Sequence, residues 1–160
     1  MNGSPERLAE LLASYRRTHY GVALPGGVSA TLRIGTPTPR PVATWIGVDG
    51  FAVYLTACNP HSEPLPAAEN EARLAELRQR LRAGGARWLE GSGAIPGAPW
   101  CETSLLATSL PLARLDALAR DFRQNACVHL RAGAPSRLRL YRPDWRGRLE
   151  PADDLEWGDD

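Results

Sequence analysis

The chain has no lysine at all: each of its 19 basic residues is an arginine. Schiff-base chemistry and a lysine general base are therefore excluded outright. Cysteine is scarce. Cys58, Cys101 and Cys127 form an odd set without C-x-x-C spacing, which argues against a disulfide scaffold and against structural zinc, so reduced thiols are expected. A surplus of either charge is missing too. With 19 basic and 18 acidic residues the formal charge is +1, and bulk electrostatics would not draw a polyanion. No apolar run approaches the ~20 residues that span a bilayer. The first dozen residues include Glu6 and Glu10 and lack the basic start and apolar stretch of a secretory leader. These absences give the expectation of a cytoplasmic protein with no membrane partner. His19, His61 and His129 are scattered without acidic neighbours at ligand spacing, so neither a metal nor another cofactor is expected. The oligomeric state is left open.

What is present fits one domain. A chain of 160 residues buries roughly 70% of its unfolded surface. Its 43% hydrophobic share, with 15 glycines, is that of a globular protein. The pattern suggests a single α+β domain over 1–149 and an acidic, mobile tail over 150–160, whose six acids (Glu150, Asp153, Asp154, Glu156, Asp159 and Asp160) have no cation among them.

Within the domain, Ser4-Pro5-Glu6 reads as a helix start, followed by Leu8, Leu11, Leu12 and Tyr15 at helical spacing up to about Thr18. Strands are expected around 21–24, 30–34 and 43–46, with a proline-rich loop over 35–41. The apolar run Phe51 to Cys58 reads as a central strand buried on both faces. A helix over about 66–82 presents Leu74, Leu77 and Leu81 on one face and stops at Gly84-Gly85. Trp88 lies in a short strand, a Gly/Pro-rich loop covers 91–99, and Glu102 to Leu110 is another strand. A third helix opens at Ser109 and Pro111 and ends near Gln124, and alternating strands over 126–131 and 137–141 close the fold. The architecture expected is a mixed, mainly antiparallel sheet with about three helices packed on one side of it.

Chemistry concentrates at two boundaries. Thr56-Ala57-Cys58-Asn59-Pro60-His61-Ser62 stands where a buried strand leaves the sheet toward a helix, a place where rigid backbone aims polar side chains at a ligand. Asx and Ser turns that merely satisfy local backbone explain the same residues equally well. Phe122-Arg123-Gln124-Asn125-Ala126 lies where a helix passes to a strand; Asn125 alone suits a helix stop, whereas Gln124 has no such role.

Five stretches taken together resemble a family of short bacterial proteins catalogued as a domain of unknown function (DUF3293). They are Tyr15 to Tyr20, Leu55 to Pro60, Asn70, Glu102 to Leu106 and Phe122 to Ala126. Arg123 and Leu105 depart from the family pattern, which carries Gly before the Gln-Asn pair and an aromatic after Glu-x-Ser. No activity belongs to the family, so the resemblance implies a shared fold and a shared site without a reaction. With it in view, Thr56, Asn59, Ser62, Asn70, Glu102, Gln124 and Asn125 are expected to converge on one polar pocket. Amides and hydroxyls around one carboxyl suit recognition of a small polar ligand or partner motif, with Glu102 the one evident proton-transfer group.

Two alternatives stay open. A hydrolase or transferase could use Glu102, or Cys58 activated by His61, although a Cys ending a buried strand is more often an inert small hydrophobe. The segment 137–148, with Arg137, Arg139, Arg142, Arg146 and Arg148 interleaved with Tyr141 and Trp145, could meet a nucleic acid or a protein partner. Its arginines have Asp144 and the acidic tail close by, and self-neutralisation competes with phosphate, so nucleic acid is the disfavoured partner.

Overall fold

A computed structural model describes residues 4–159. Ser4 begins the fold as read: its Oγ accepts from the Arg7 N–H at 3.1 Å, capping α1 (Pro5–Arg17). There follow β1 (His19–Ala23), β2 (Ser29–Leu32), α2 (Arg40–Ile46), β3 (Phe51–Leu55), α3 (Ala67–Ala83), β4 (Arg87–Ala94), β5 (Cys101–Thr108), α4 (Leu112–Asp121), β6 (Ala126–Arg131), β7 (Arg137–Leu140) and β8 (Leu155–Trp157). All eight strands belong to one sheet in the order β2-β1-β4-β5-β3-β6-β7-β8. Every pairing is antiparallel except β7 with β8, so the sheet is mixed and mainly antiparallel, in an α+β fold.

The central run Phe51 to Cys58 is divided. Phe51–Leu55 forms β3 between β5 and β6, and the chain then turns out of the sheet at Thr56. Strand periodicity sorts its side chains to two cores. Val53 and Leu55, with Leu105 and Ala107 of β5, pack beneath Leu74 and Leu77 of α3 and Leu115 and Leu118 of α4. On the opposite face Ala52 and Tyr54, with Leu106 of β5 and Val128 and Leu130 of β6, meet Val42 and Ile46 of α2. Leu138 and Leu140 of β7 bury Leu8, Leu11 and Leu12 of α1 together with Trp145.

Three expectations are corrected. Residues 43–46, expected as a strand, complete α2: Pro41 opens the helix, and Val42 and Ile46, one helical turn apart, both face the sheet, so burial outweighs the β-preference of valine and isoleucine. Four α-helices thus replace about three, and they cover both faces of the sheet, not one. The loop expected over 91–99 begins later, because β4 continues through its glycines to Ala94. The acidic stretch after residue 149 supplies β8, and Asp154 pairs with Arg16 at 2.7 Å; Asp160 lies outside the described residues.

The sheet is strongly curled. The Tyr54 hydroxyl on β3 donates to the Gly21 carbonyl on β1 at 2.9 Å, although β5 and β4 stand between those strands in the sheet. Glycine allows the approach: a Cβ on Gly91 of β4 would lie 2.1 Å from the Gly21 oxygen. Near the far end, the backbone of Gly35 and Thr36 pairs with Ser136, drawing the chain after β2 to the start of β7. Among the described residues no helix is long and apolar enough to cross a membrane.

Candidate ligand pocket

The curl leaves a hollow of about 300 Å³ at the sheet edge where β3 and β4 end and β1, β5 and β6 begin. Its construction starts with Thr56. The Thr56 hydroxyl donates to the Thr103 carbonyl at 2.7 Å and accepts from the Cys58 N–H at 3.1 Å, which turns the chain off β3. Asn59 then adopts left-handed backbone, φ 48°, a conformation that asparagine tolerates better than most residues. Its side-chain oxygen accepts from Leu65 N–H at 3.0 Å and from Asn70 Nδ2 at 2.9 Å, and Asn70 Oδ1 accepts the Asn59 N–H at 3.0 Å. The remaining Asn59 group, Nδ2, donates to Glu102 Oε2 at 2.9 Å.

The second loop is held against the first. His61 N–H donates to the Arg123 carbonyl at 2.7 Å, and Gln124 Nε2 donates to the carbonyls of Cys58 at 3.0 Å and Phe122 at 3.2 Å. Asn125 Nδ2 reaches Ser62 Oγ at 2.8 Å while its oxygen accepts from Arg142 at 3.0 Å. Behind both loops Arg73 of α3 donates to Ala57 O at 2.5 Å and Phe122 O at 2.6 Å. Asn59, His61, Ser62 and Arg123 all carry positive φ without being glycine. Such backbone costs on the order of 1–3 kcal/mol per residue and persists because these cross-loop bonds over-determine it.

Six of the seven expected residues, Thr56, Asn59, Ser62, Glu102, Gln124 and Asn125, line the hollow. Asn70 stands behind it, orienting Asn59. Sequence reasoning missed the aromatic half. Tyr15, Tyr20, Tyr54 and Trp100 line the same space, with Thr18, Gly93 and Ser104. Tyr15 and Tyr20 stood inside a motif of the family resemblance, and the period-2 alternation of β3 puts Tyr54 on the face away from Val53 and Leu55; both signals were readable.

Electrostatics single out Glu102. Burial pushes its carboxyl up to about 7, against the opposing bond from Asn59. Among the described residues it forms no ion pair. Burial also raises Tyr15, despite hydrogen bonds to Ser62 and Asn125, and holds Tyr20 and Tyr54 neutral. Burial lowers His61, with Arg142 and Arg123 adding to the effect. Cys58 sits in the apolar core with its Sγ 3.8 Å from the Thr103 carbonyl, and burial raises its pKa, the reverse of what a thiolate nucleophile needs. No group of three or more His, Cys, Asp or Glu among the described residues could hold a metal ion.

The segment 137–148 offers no base-stacking platform. Trp145 is fully buried and Tyr141 nearly so, Arg139 is spent on Asp116 and Glu156, and Arg142 holds Asp144 through two bonds at 2.9 Å. Pairing within the chain accounts for Arg139 and Arg142.

Compared with known families, residues 55–127 match the model described as Protein of unknown function (DUF3293). The chain resembles that family. The matched span opens on the last residue of β3 and closes within β6, and it contains all seven of the polar residues named above. The tyrosines of α1, β1 and β3 fall outside it. No curated protein and no solved structure matches the chain.

Proposed function

We propose that this protein binds a small polar molecule in the hollow at the curled edge of the sheet. The observation that carries the reading is convergence. Residues from the β3–α3 turn, the start of β5 and the α4–β6 turn are locked together by side-chain amides around a single carboxyl, beside a wall of aromatic rings. An apolar concavity with a few fixed polar groups is the usual form of a small-molecule site, and about 300 Å³ lies at the small end of the range.

A second reading, proton transfer by Glu102 in a hydrolase or transferase, draws on the position of its pKa near neutrality. Binding is favoured because the side-chain hydrogen bond that Glu102 makes is to Asn59, an amide and not a nucleophile, while Thr56 and Ser104 donate their hydroxyl protons to backbone carbonyls.

A thermal-shift screen of small polar metabolites tests the proposal when run in parallel on Gly93→Val. Gly93 has no left-handed backbone, and a Cβ there would sit 3.4 to 3.7 Å from Thr18, Tyr20 and Trp100, so the larger side chain enters the hollow without cutting any of the hydrogen bonds that build the site. A ligand at a hundred times its dissociation constant adds ~2.7 kcal/mol to the wild type. The expected result is a shift that disappears in the variant. Hits that persist in Gly93→Val, or none at all, defeat the reading.

A further inference from the structure

The direction of the amide hydrogen bonds around the hollow is fixed. Asn59 Oδ1 accepts from a backbone N–H, Asn70 Oδ1 accepts from another, Gln124 Nε2 faces two carbonyls, and Asn125 Oδ1 accepts from an arginine. Each amide therefore has one orientation consistent with its partners. In that orientation Asn70 and Gln124 spend both NH2 hydrogens on internal acceptors, Asn59 spends one on Glu102, and Asn125 spends one on Ser62.

Five of the seven lining hydroxyls behave alike. Thr18 donates to Ser14 O, Tyr20 to Tyr15 O, Tyr54 to Gly21 O, Thr56 to Thr103 O and Ser104 to Glu102 O. Five hydroxyl protons and six of the eight amide hydrogens are thus spent within the protein, and no cation lines the hollow. Arg142, which donates to Asn125, is also committed to Asp144. An anion would find little to bind it. What remains on offer is acceptors, above all a carboxyl that a single amide N–H holds in place and that has no ion-pair partner among the described residues. A buried carboxylate without a counter-charge takes either a proton or a cation.

Resting on the proposal that the hollow binds a small molecule, we infer that its ligand is a small organic cation, a protonated amine on a short apolar stem. The ammonium group donates to Glu102 and to the lone pairs of the neighbouring hydroxyls. The stem lies against the Tyr and Trp rings, whose electron-rich faces favour the same charge. Glu102 sets the sign of the ligand, and the aromatic wall sets its size.

Three probes of one shape and three charges separate the possibilities: benzylamine, benzyl alcohol and benzoate, titrated calorimetrically into the full chain above the pH at which Glu102 gives up its proton. Benzylamine is expected to bind at least tenfold more tightly than the alcohol, and benzoate more weakly than either. Glu102→Gln keeps the shape of the side chain and an acceptor for Asn59, so it is expected to bring benzylamine down to the alcohol while leaving the alcohol within twofold. Equal or tighter binding of the alcohol or of benzoate by the wild type overturns the cation assignment and leaves small-molecule binding standing. A preference for benzylamine that survives in Glu102→Gln overturns it as well. If none of the three binds in the wild type, the cation assignment falls, and the metabolite screen with Gly93→Val decides the binding proposal by itself.

Discussion

Glu102 shows how one side chain can work against its own fold. Its carboxyl titrates near 7 in the folded protein and near 4.5 when free, so the folded state holds the proton more tightly. The stability this gives is full below about 4.5 and is lost as pH rises through about 7. Tyr15, Tyr20 and Tyr54, which face the carboxyl, are held neutral throughout, whereas His61, its pKa lowered by burial, adds a slope of the opposite sign; the Glu102 share is the part that a change at Glu102 takes away. Glu102→Gln is expected to remove it. Urea midpoints compared at pH 5 and pH 8 should show the variant gaining on the wild type by about 2 kcal/mol on going to the higher pH. Parallel profiles would show that the carboxyl is not desolvated in the folded chain. The polar half of this site was legible because its cause is local. Asn59-Pro60 dictates a turn, and a Gln at a helix end has no backbone task there. That Asn59 would reach Glu102, 43 residues away, is a product of the fold and of no pattern within either segment.

At the scale of elements, the glycines of β4 were read as loop because glycine weakens a strand. In the curled sheet they are what permits the strand. Gly91 pairs with Val22 while the Gly21 carbonyl crosses over it, and a Cβ at Gly91 would lie 2.1 Å from that backbone oxygen. Neither neighbour can move without parting β1 from β4. Gly91→Ala is accordingly expected to cost about 3 kcal/mol, a fall in Tm of about 9 °C for a chain of this size. Gly93→Ala, two residues along, meets only ordinary contacts at 3.4 to 3.7 Å and should stay within about 0.5 kcal/mol of the wild type. Equal melting temperatures for the two variants would remove the curl from the account of the pocket. The misread α2 has the same origin as β4. Val42 and Ile46 carry strand preference, yet a partner surface one helical turn wide decides their state, and that surface is made by β3, β5 and β6.

For the whole molecule the unexpected piece is the C-terminus. Its acids and the arginines of 137–148 were readable as opposite charges a few residues apart, but charge alone does not say where the chain goes. It returns as β8 beside β7, placing Glu156 against both Arg139 and His129, the latter at 3.0 Å. Arg139 is 4% exposed, and on its other side Asp116, with no exposed surface, takes two bonds at 2.8 and 2.7 Å. Burial alone would raise both acids. The bonds from Arg139 and Tyr141 outweigh it at Asp116, and those from His129 and Arg139 outweigh it at Glu156, so both titrate below their usual range. Their contribution is present above the ordinary carboxyl pKa and lost as the solution is acidified, the opposite sign from Glu102. The three-part clamp ranks its own mutations. Asp116→Asn leaves a buried guanidinium short of charge and should cost about 3–5 kcal/mol. Glu156→Gln leaves Asp116 in place and should cost less, about 1–2 kcal/mol. Because the clamp lies between α4 and β6–β8, on the sheet face opposite the tyrosines of the hollow, neither change should alter the affinity of a molecule held by Glu102 when both variants are assayed well below their melting temperatures. Denaturant midpoints in the reverse order would mean that the returning strand, not the helix, is what holds Arg139 in the interior.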